Sequence, residues 1–339
     1  MGVAEVIDFH LSVEALGNTR FVYSPMAEVA CSLRLLAAGK PSFVMRPWFE
    51  GVSEQLDDVP MDLLSAIVPP GRYAPDFMFP FSSDPRITID QQIDELAAVP
   101  TDSIRRDLLE CWPGQRLPGQ LQGLVDGSAP GAVIGEAVGL YWRRAIAPYW
   151  SRIRAVLDDD VSYRGSRALG DGMLGLLEDL HPDVTLCNEV LRVDKPQHPD
   201  ATYEGSEIIL LPSVFVWPNV LIGHEGPNVF SLTYAARGVG RVWEGLPTAH
   251  GAGNDLGALL GRNRAGILRR LEIPMTTTQL ARELGQSPGT VSQHLSVLKR
   301  NGLLDSWRSG RSVLYRRTAL ATSVIAASDH RSGADEMEV

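Results

Sequence analysis

Apolar residues in the first 180 positions recur mostly every three or four residues, the spacing of one face of an α-helix. Two extended runs precede that pattern, Val3–Leu11 and Arg20–Tyr23. Ser24-Pro25 then opens a helix, because serine can cap it and proline suits its first position. Met26, Val29, Leu33 and Leu36 supply its apolar stripe. The pattern predicts further helices around 46–57, 61–67, 88–98, 101–111, 118–125 and 160–180. Thr88 and Gln91 have the spacing of a capping box. Between 131 and 157 lies a longer apolar helical region, which Pro148 should bend or split.

After residue 185 the period changes. Val190–Val193, Glu207–Leu211, Val214–Val216, Val220–Ile222 and Val229–Tyr234 are short β-rich runs separated by Gly, Pro and Asn. They read as a small antiparallel meander. The glycine-rich stretch His250–Asn254 reads as a linker, and the polar tail 328–339 is expected to be disordered. The expected division is an N-terminal domain over 1–250, a small domain over 255–327, and the tail. A chain of 339 residues, 44% apolar and 21% charged, is large enough for two cores.

The small domain holds the clearest pattern. A first helix is expected over Thr278–Leu284, with Leu280 and Leu284 on one face and Gly285 ending it. Ser287 caps a second helix and Pro288 stands in its first turn. Val291, Leu295 and Leu298 form its inward stripe. Thr290, Ser292, Gln293, Ser296 and Arg300 lie opposite or beside that stripe, with His294 on the flank, where it either touches a phosphate or packs. Small polar residues with amide and hydroxyl heads suit close approach to base edges in a major groove. Gly302 ends the helix. Two strand-like runs follow, Leu303–Arg308 and Arg311–Arg317, joined by Ser309-Gly310. Arg308 and Arg311 flank the tip of that hairpin, which is placed to reach phosphates or a minor groove.

Charge strengthens this reading. The chain is acidic overall, with a net charge of −10, but residues 255–320 carry eleven basic and four acidic side chains, a net +7. Residues 1–254 carry −14 and the last nineteen −3. A basic cluster confined to one small domain is the electrostatic footprint of phosphate binding. The partner expected is double-stranded DNA.

Leu280-Ala281, Ser287, Val291-Ser292-Gln293-His294-Leu295, Leu298, Gly302-Leu303 and Gly310-Arg311 with Val313 and Tyr315 resemble the ArsR-type winged helix-turn-helix regulators. The resemblance covers about 75 residues, counting the preceding helix. It implies that Ser292 and Gln293 face DNA and that two heads pair through flanking helices as a homodimer. The apolar stripes Leu256, Leu260, Ile267, Leu271 and Leu320, Val324, Ala327 are candidates for that pairing. The fold class expected is therefore α+β: a mainly helical N-terminal domain with a small antiparallel sheet, plus a C-terminal winged helix-turn-helix. The metal sites of that family are not matched, since TQLARELG contains no cysteine and the C-terminal end offers only Asp329-His330. Ser24-Pro25 with Glu28, Arg46-Pro47-Trp48, Pro75-Asp76-Phe77, Leu211-Pro212-Ser213-Val214-Phe215 and Arg237-Gly238 resemble bacterial regulators of this type with a large N-terminal domain of unassigned function.

Other chemistries find little support. Cys31, Cys111 and Cys187 are far apart, with no C-x-x-C pair, which fits a reducing compartment. The N-terminus lacks the basic and apolar regions of a signal peptide, and no apolar run reaches membrane-spanning length, so a cytoplasmic location without a membrane partner is expected. No phosphate-binding loop, G-x-S-x-G or H-E-x-x-H pattern occurs, so neither an enzyme nor a metal or cofactor is expected. Asp158-Asp159-Asp160 reads as a solvated helix end. Trp142, Trp150 and Trp217 are candidates for lining a pocket for a largely apolar organic ligand. The expectation is a repressor whose N-terminal domain senses that ligand. A regulator controlled by a docking partner protein, or an enzyme with a DNA-binding appendage, are the alternatives.

Overall fold

In the computed structural model, which describes residues 6–325 apart from 40, 42, 83, 85, 179, 182, 188, 195–200, 218, 226, 227, 244–255, 257–259, 285, 310 and 311, the chain forms two units. The first comprises Met1–Pro41 and Val52–Arg237; the second comprises Ser42–Gly51 and Gly238–Val339. The linker expected at His250–Asn254 and the tail expected at 328–339 lie outside the described residues.

The fold is α+β. In the first unit, β1 (Val6–His10) lies between β4 (Val190–Asp194), antiparallel to it, and β5 (Ala201–Glu204), parallel to it; β3 (Val184–Cys187) pairs antiparallel with β4. In a second sheet, β2 (Arg20–Phe21) runs parallel to β6 (Glu207–Ser213), β6 parallel to β8 (Val229–Ala235), and β7 (Leu221–Glu225) antiparallel to β8. The expected meander is thus two mixed sheets of four strands. The chain start contributes a strand to each. Strands β6 and β8 are buried on both faces, which is why they read as near-continuous apolar runs rather than alternating ones.

Helices fill the rest of the unit. Pro25–Ala38 starts with the Ser24 hydroxyl accepting from the Ala27 N–H, and Ile89–Ala97 starts with the expected Thr88–Gln91 capping box. Pro130–Tyr141 packs closely on Ile89–Ala97 through its glycines: a Cβ on Gly131 would strike the Leu96 carbonyl, and one on Gly135 would lie 2.9 Å from Ile93 Cγ2. Pro148 splits the long apolar region. Helix Pro130–Tyr141 widens through Trp142–Ile146, tightens through Ala147–Tyr149, and resumes as Trp150–Asp171.

Two buried polar groups tie distant parts of this unit. Glu28 accepts hydrogen bonds from the Ser213 hydroxyl (2.8 Å) and the Val214 and Phe215 N–H groups (2.8 and 3.4 Å), so the acid in the first helical turn holds the end of β6. Burial pushes its carboxyl up to about 7, against the lowering effect of those three donors. Asp160 corrects an expectation. Asp158 and Asp159 are exposed, but Asp160 is 1% exposed and is not part of a solvated run. It accepts from Arg164 Nε (3.1 Å), the Tyr234 hydroxyl (2.6 Å) and the Arg237 N–H (3.2 Å). Helical spacing of four residues brings Asp160 and Arg164 together, and β8 supplies Tyr234 from the other side.

The second unit contains helices Arg262–Arg270, Thr277–Glu283 and Pro288–Arg300, and a sheet in the order β10 (Leu304–Ser309), β11 (Ser312–Arg317), β9 (Met275–Thr276). The helix expected around 46–57 is present as Arg46–Ser53, but no sequence signal showed that segment 42–51 belongs with this unit. Trp48 is fully buried with its ring centroid 6.4 Å from that of Trp243, among buried Val44, Met45, Val239 and Val242. Among the described residues no helix is long and apolar enough to cross a membrane.

Candidate nucleic-acid interface

The geometry of the second unit follows from its caps and its stripe. The Thr276 hydroxyl accepts from the Gln279 N–H while the Gln279 side chain accepts from the Thr276 N–H, which starts helix Thr277–Glu283. Ser287 caps the next helix by accepting from the Thr290 N–H, and Pro288 occupies its first position. Val291, Leu295 and Leu298 are buried, joined by Leu280, Ala281, Ile267, Leu268 and Leu304 in one core. That burial fixes the opposite face outward. Thr290, Ser292, Gln293, Ser296 and Arg300 are all exposed, and His294 is partly buried. The structure therefore brings these expected residues onto one solvent-facing surface. Two hydroxyls there are already engaged: Thr290 Oγ1 with Ser287 Oγ (2.9 Å), and Ser296 donating to the Ser292 carbonyl (2.9 Å). Gln293 keeps its amide head outward, with no hydrogen-bond partner among the described residues.

The hairpin is present as β10 and β11, in antiparallel register with Trp307 opposite Leu314 and Arg308 opposite Val313. Arg308 is exposed; Arg311 lies outside the described residues. Strand β9 adds to the free edge of β11, with Thr276 opposite Leu314, and so joins the hairpin to the start of helix Thr277–Glu283.

The basic residues of this unit are not equivalent. Arg317 pairs with Glu272 (3.3 Å), Arg270 with Glu283 (3.7 Å), and Lys299 donates to Ser306 (2.5 Å). Arg282, Arg300, Arg308 and Arg316 are exposed and have no acidic partner among the described residues. These four leave a cationic surface free for phosphates. Sequence reasoning missed Arg282 and Arg316. Alternation along β11 places Arg316 and Arg317 on opposite faces, and that signal could have separated the free one from the paired one.

The candidate ligand residues lie elsewhere. Trp142 and Trp150 pack against each other, with centroids 5.0 Å apart and planes at 63°; the Trp217 ring sits 5.2 Å from that of His181. A cavity of about 1070 Å³ exists in the first unit, and none of the three tryptophans lines it. Trp142 and Trp217 are buried, engaged with protein rings rather than facing that space. Among the described residues no group of three His, Cys, Asp or Glu side chains could hold a metal ion. Cys31 and Cys111 are buried, and burial pushes both thiols up to about 12; Cys187 is exposed.

Comparison with known proteins agrees with this geometry in one region. Residues 259–306 match a family model described as a helix-turn-helix domain. No curated protein matches the chain. Two solved structures are similar to a part of the chain. Reduced HlyU from Vibrio cholerae is 24% identical, covering 22% of this chain and 86% of its own, with a TM-score of 0.19. A mutant of ZitR from Lactococcus lactis in its apo form is 27% identical, covering 25% of this chain and 68% of its own, with a TM-score of 0.21. Residues 259–306, with the capped helices Thr277–Glu283 and Pro288–Arg300, are a helix-turn-helix domain.

Proposed function

We propose that this chain is a transcription regulator that binds double-stranded DNA through helix Pro288–Arg300 and the hairpin after it, and that it acts as a cytoplasmic repressor. The observation that carries this reading is the exposed polar face of that helix, inside a segment that matches a helix-turn-helix domain, together with four exposed arginines that have no acidic partner among the described residues. Ser292 and Gln293 are the proposed base readers; Arg300 and Arg308 are the proposed phosphate contacts. The head is proposed to act as a homodimer on half-sites ~34–36 Å apart. Leu256, Ile267 and Leu271 are buried in the core of the head itself and do not supply that contact. Support comes instead from Leu320, which is 56% exposed beside partly buried Val324.

The first unit is proposed to sense a small organic ligand rather than to catalyse a reaction. A ligand releases DNA only if it favours the DNA-incompetent form, and a 100-fold preference is worth about 2.7 kcal/mol. The test is selection of binding sites from a random duplex pool with the full chain. A recurring two-fold motif that Gln293→Ala binds ~1–3 kcal/mol more weakly supports the proposal. Enrichment of no motif, or one indifferent to Gln293, contradicts it.

A further inference from the structure

The cavity in the first unit has two kinds of wall. Asp76, Glu110, Asp183 and Asp194 are exposed, as is Arg72. Two of these acids have protein partners: Asp76 accepts from the Tyr73 hydroxyl (2.5 Å), and Asp183 lies 3.5 Å from His181 Nδ1. The buried part differs. Ser231 and Thr233 are adjacent same-face residues of β8, both nearly fully buried, and their hydroxyls have no hydrogen-bond partner among the described residues. Opposite Ser231 in the register stands Gly223, where a Cβ would lie 2.7 Å from the Ser231 hydroxyl and 3.9 Å from the Phe81 ring. Phe79 and Phe81 are partly buried and pack on the same sheet face.

Arg34 completes this wall from helix Pro25–Ala38. Its Nη2 donates to the Arg72 carbonyl (2.9 Å), while Nη1 is buried without an acceptor. No carboxylate pairs with it among the described residues. Burial lowers its pKa, yet an arginine stays charged at any ordinary pH. A desolvated cation without a counter-charge is costly, and a ligand anion would relieve that cost.

We infer that this cavity binds a small organic acid carrying one carboxylate, with the carboxylate against Arg34, the apolar body against Phe79 and Phe81, and the Ser231 and Thr233 hydroxyls along its polar edge. The inference rests on the sensing role proposed for the first unit and replaces the largely apolar ligand expected from the tryptophans. Four exposed acids around the lining disfavour a second negative charge, which excludes phosphate esters and dicarboxylates. The volume, about 1070 Å³, suits a molecule of two fused rings or less with accompanying water.

The experiment is calorimetric titration of the full chain with benzoate, phenylacetate and indole-3-acetate, each beside its neutral amide, and with phenyl phosphate as the doubly charged probe. At least one acid should bind about ten-fold or more tightly than its amide and than phenyl phosphate. Arg34→Met should erase that preference and Arg34→Lys should keep part of it. If Arg34→Met fails to fold, the acid-to-amide ratio in the unaltered chain and in Arg34→Lys still decides. Equal binding of acid and amide, an acid affinity indifferent to Arg34, or binding of none of the acids would overturn the inference. Titration with duplex DNA present separates the two readings. Acid binding that leaves DNA affinity unchanged removes the sensing role and keeps the site.

Discussion

Replacing Asp160 by Asn should destabilise the first unit by about 3–5 kcal/mol, the cost of leaving a buried charge without its partner. Arg164 is 1% exposed and its guanidinium has nowhere to find water. Its Nη1 would still donate to the carbonyls of Leu176 (3.2 Å) and Glu178 (3.1 Å), and its charge would still face the Tyr234 ring 4.5 Å away. None of these is an anion. The Tyr234 hydroxyl would also exchange a charged acceptor for a neutral amide. Burial and the Asp160 charge hold that phenol well above its ordinary pKa, so it remains a donor in either variant. Urea unfolding followed by circular dichroism reads the effect. Asp94→Asn, exposed on helix Ile89–Ala97, is the control and should shift stability by no more than about 0.5 kcal/mol. The double variant Asp160→Asn with Arg164→Met removes both charges and should recover part of the loss. Equal midpoints for Asp160→Asn and Asp94→Asn would refute the claim that this network holds the unit together.

Glu28 makes a pH prediction. Its folded pKa of about 7 exceeds the ordinary 4.5, so between those values the folded chain holds a proton that the unfolded chain has lost. Stability should therefore fall as pH rises through that window, by at most about 3 kcal/mol from this group. Glu28→Gln should flatten the urea midpoint over the same range, and an unchanged slope would show that Glu28 does not titrate there. Gly131→Ala should cost about 1–3 kcal/mol, because the obstacle is the backbone carbonyl of Leu96, which cannot rotate away. Gly123→Ala, where a Cβ meets nothing within 4 Å, should cost nothing measurable in the same thermal melt. A disulfide-exchange reagent should label one thiol, Cys187, in the folded chain and all three in denaturant.

Much of the fold was legible because local rules decided it. Ser24-Pro25, Thr88 with Gln91, and Ser287-Pro288 start helices by capping, and each helix stands where the pattern placed it. Val291, Leu295 and Leu298 are buried at the helical spacing that singled them out, and the polar face followed from them. Non-local pairing was not legible. Strand β1 joins β4 across more than 180 residues, and no local signal sets that partner or the parallel runs of β6 and β8. Burial of Asp160 depends on Tyr234 arriving from β8, which a run of three aspartates does not reveal. The cavity was missed for a related reason: Arg34, Phe81, Gly223 and Ser231 meet only after the sheet forms. Tryptophan content pointed instead to residues that pack against other protein rings.

The central claim, that the second unit holds duplex DNA through helix Pro288–Arg300 and its hairpin, is tested most directly by salt dependence. Full-length chain is titrated into a labelled duplex by fluorescence anisotropy at several salt concentrations, and log Kobs is plotted against log[salt]. Each phosphate contact contributes about −0.9 to the slope for B-form DNA. Arg300→Ala and Arg308→Ala should each make the slope shallower by about 1 per head, and Asp305→Asn should not. Binding that ignores salt, or slopes unmoved by both arginine substitutions while the chain stays folded, would contradict the account.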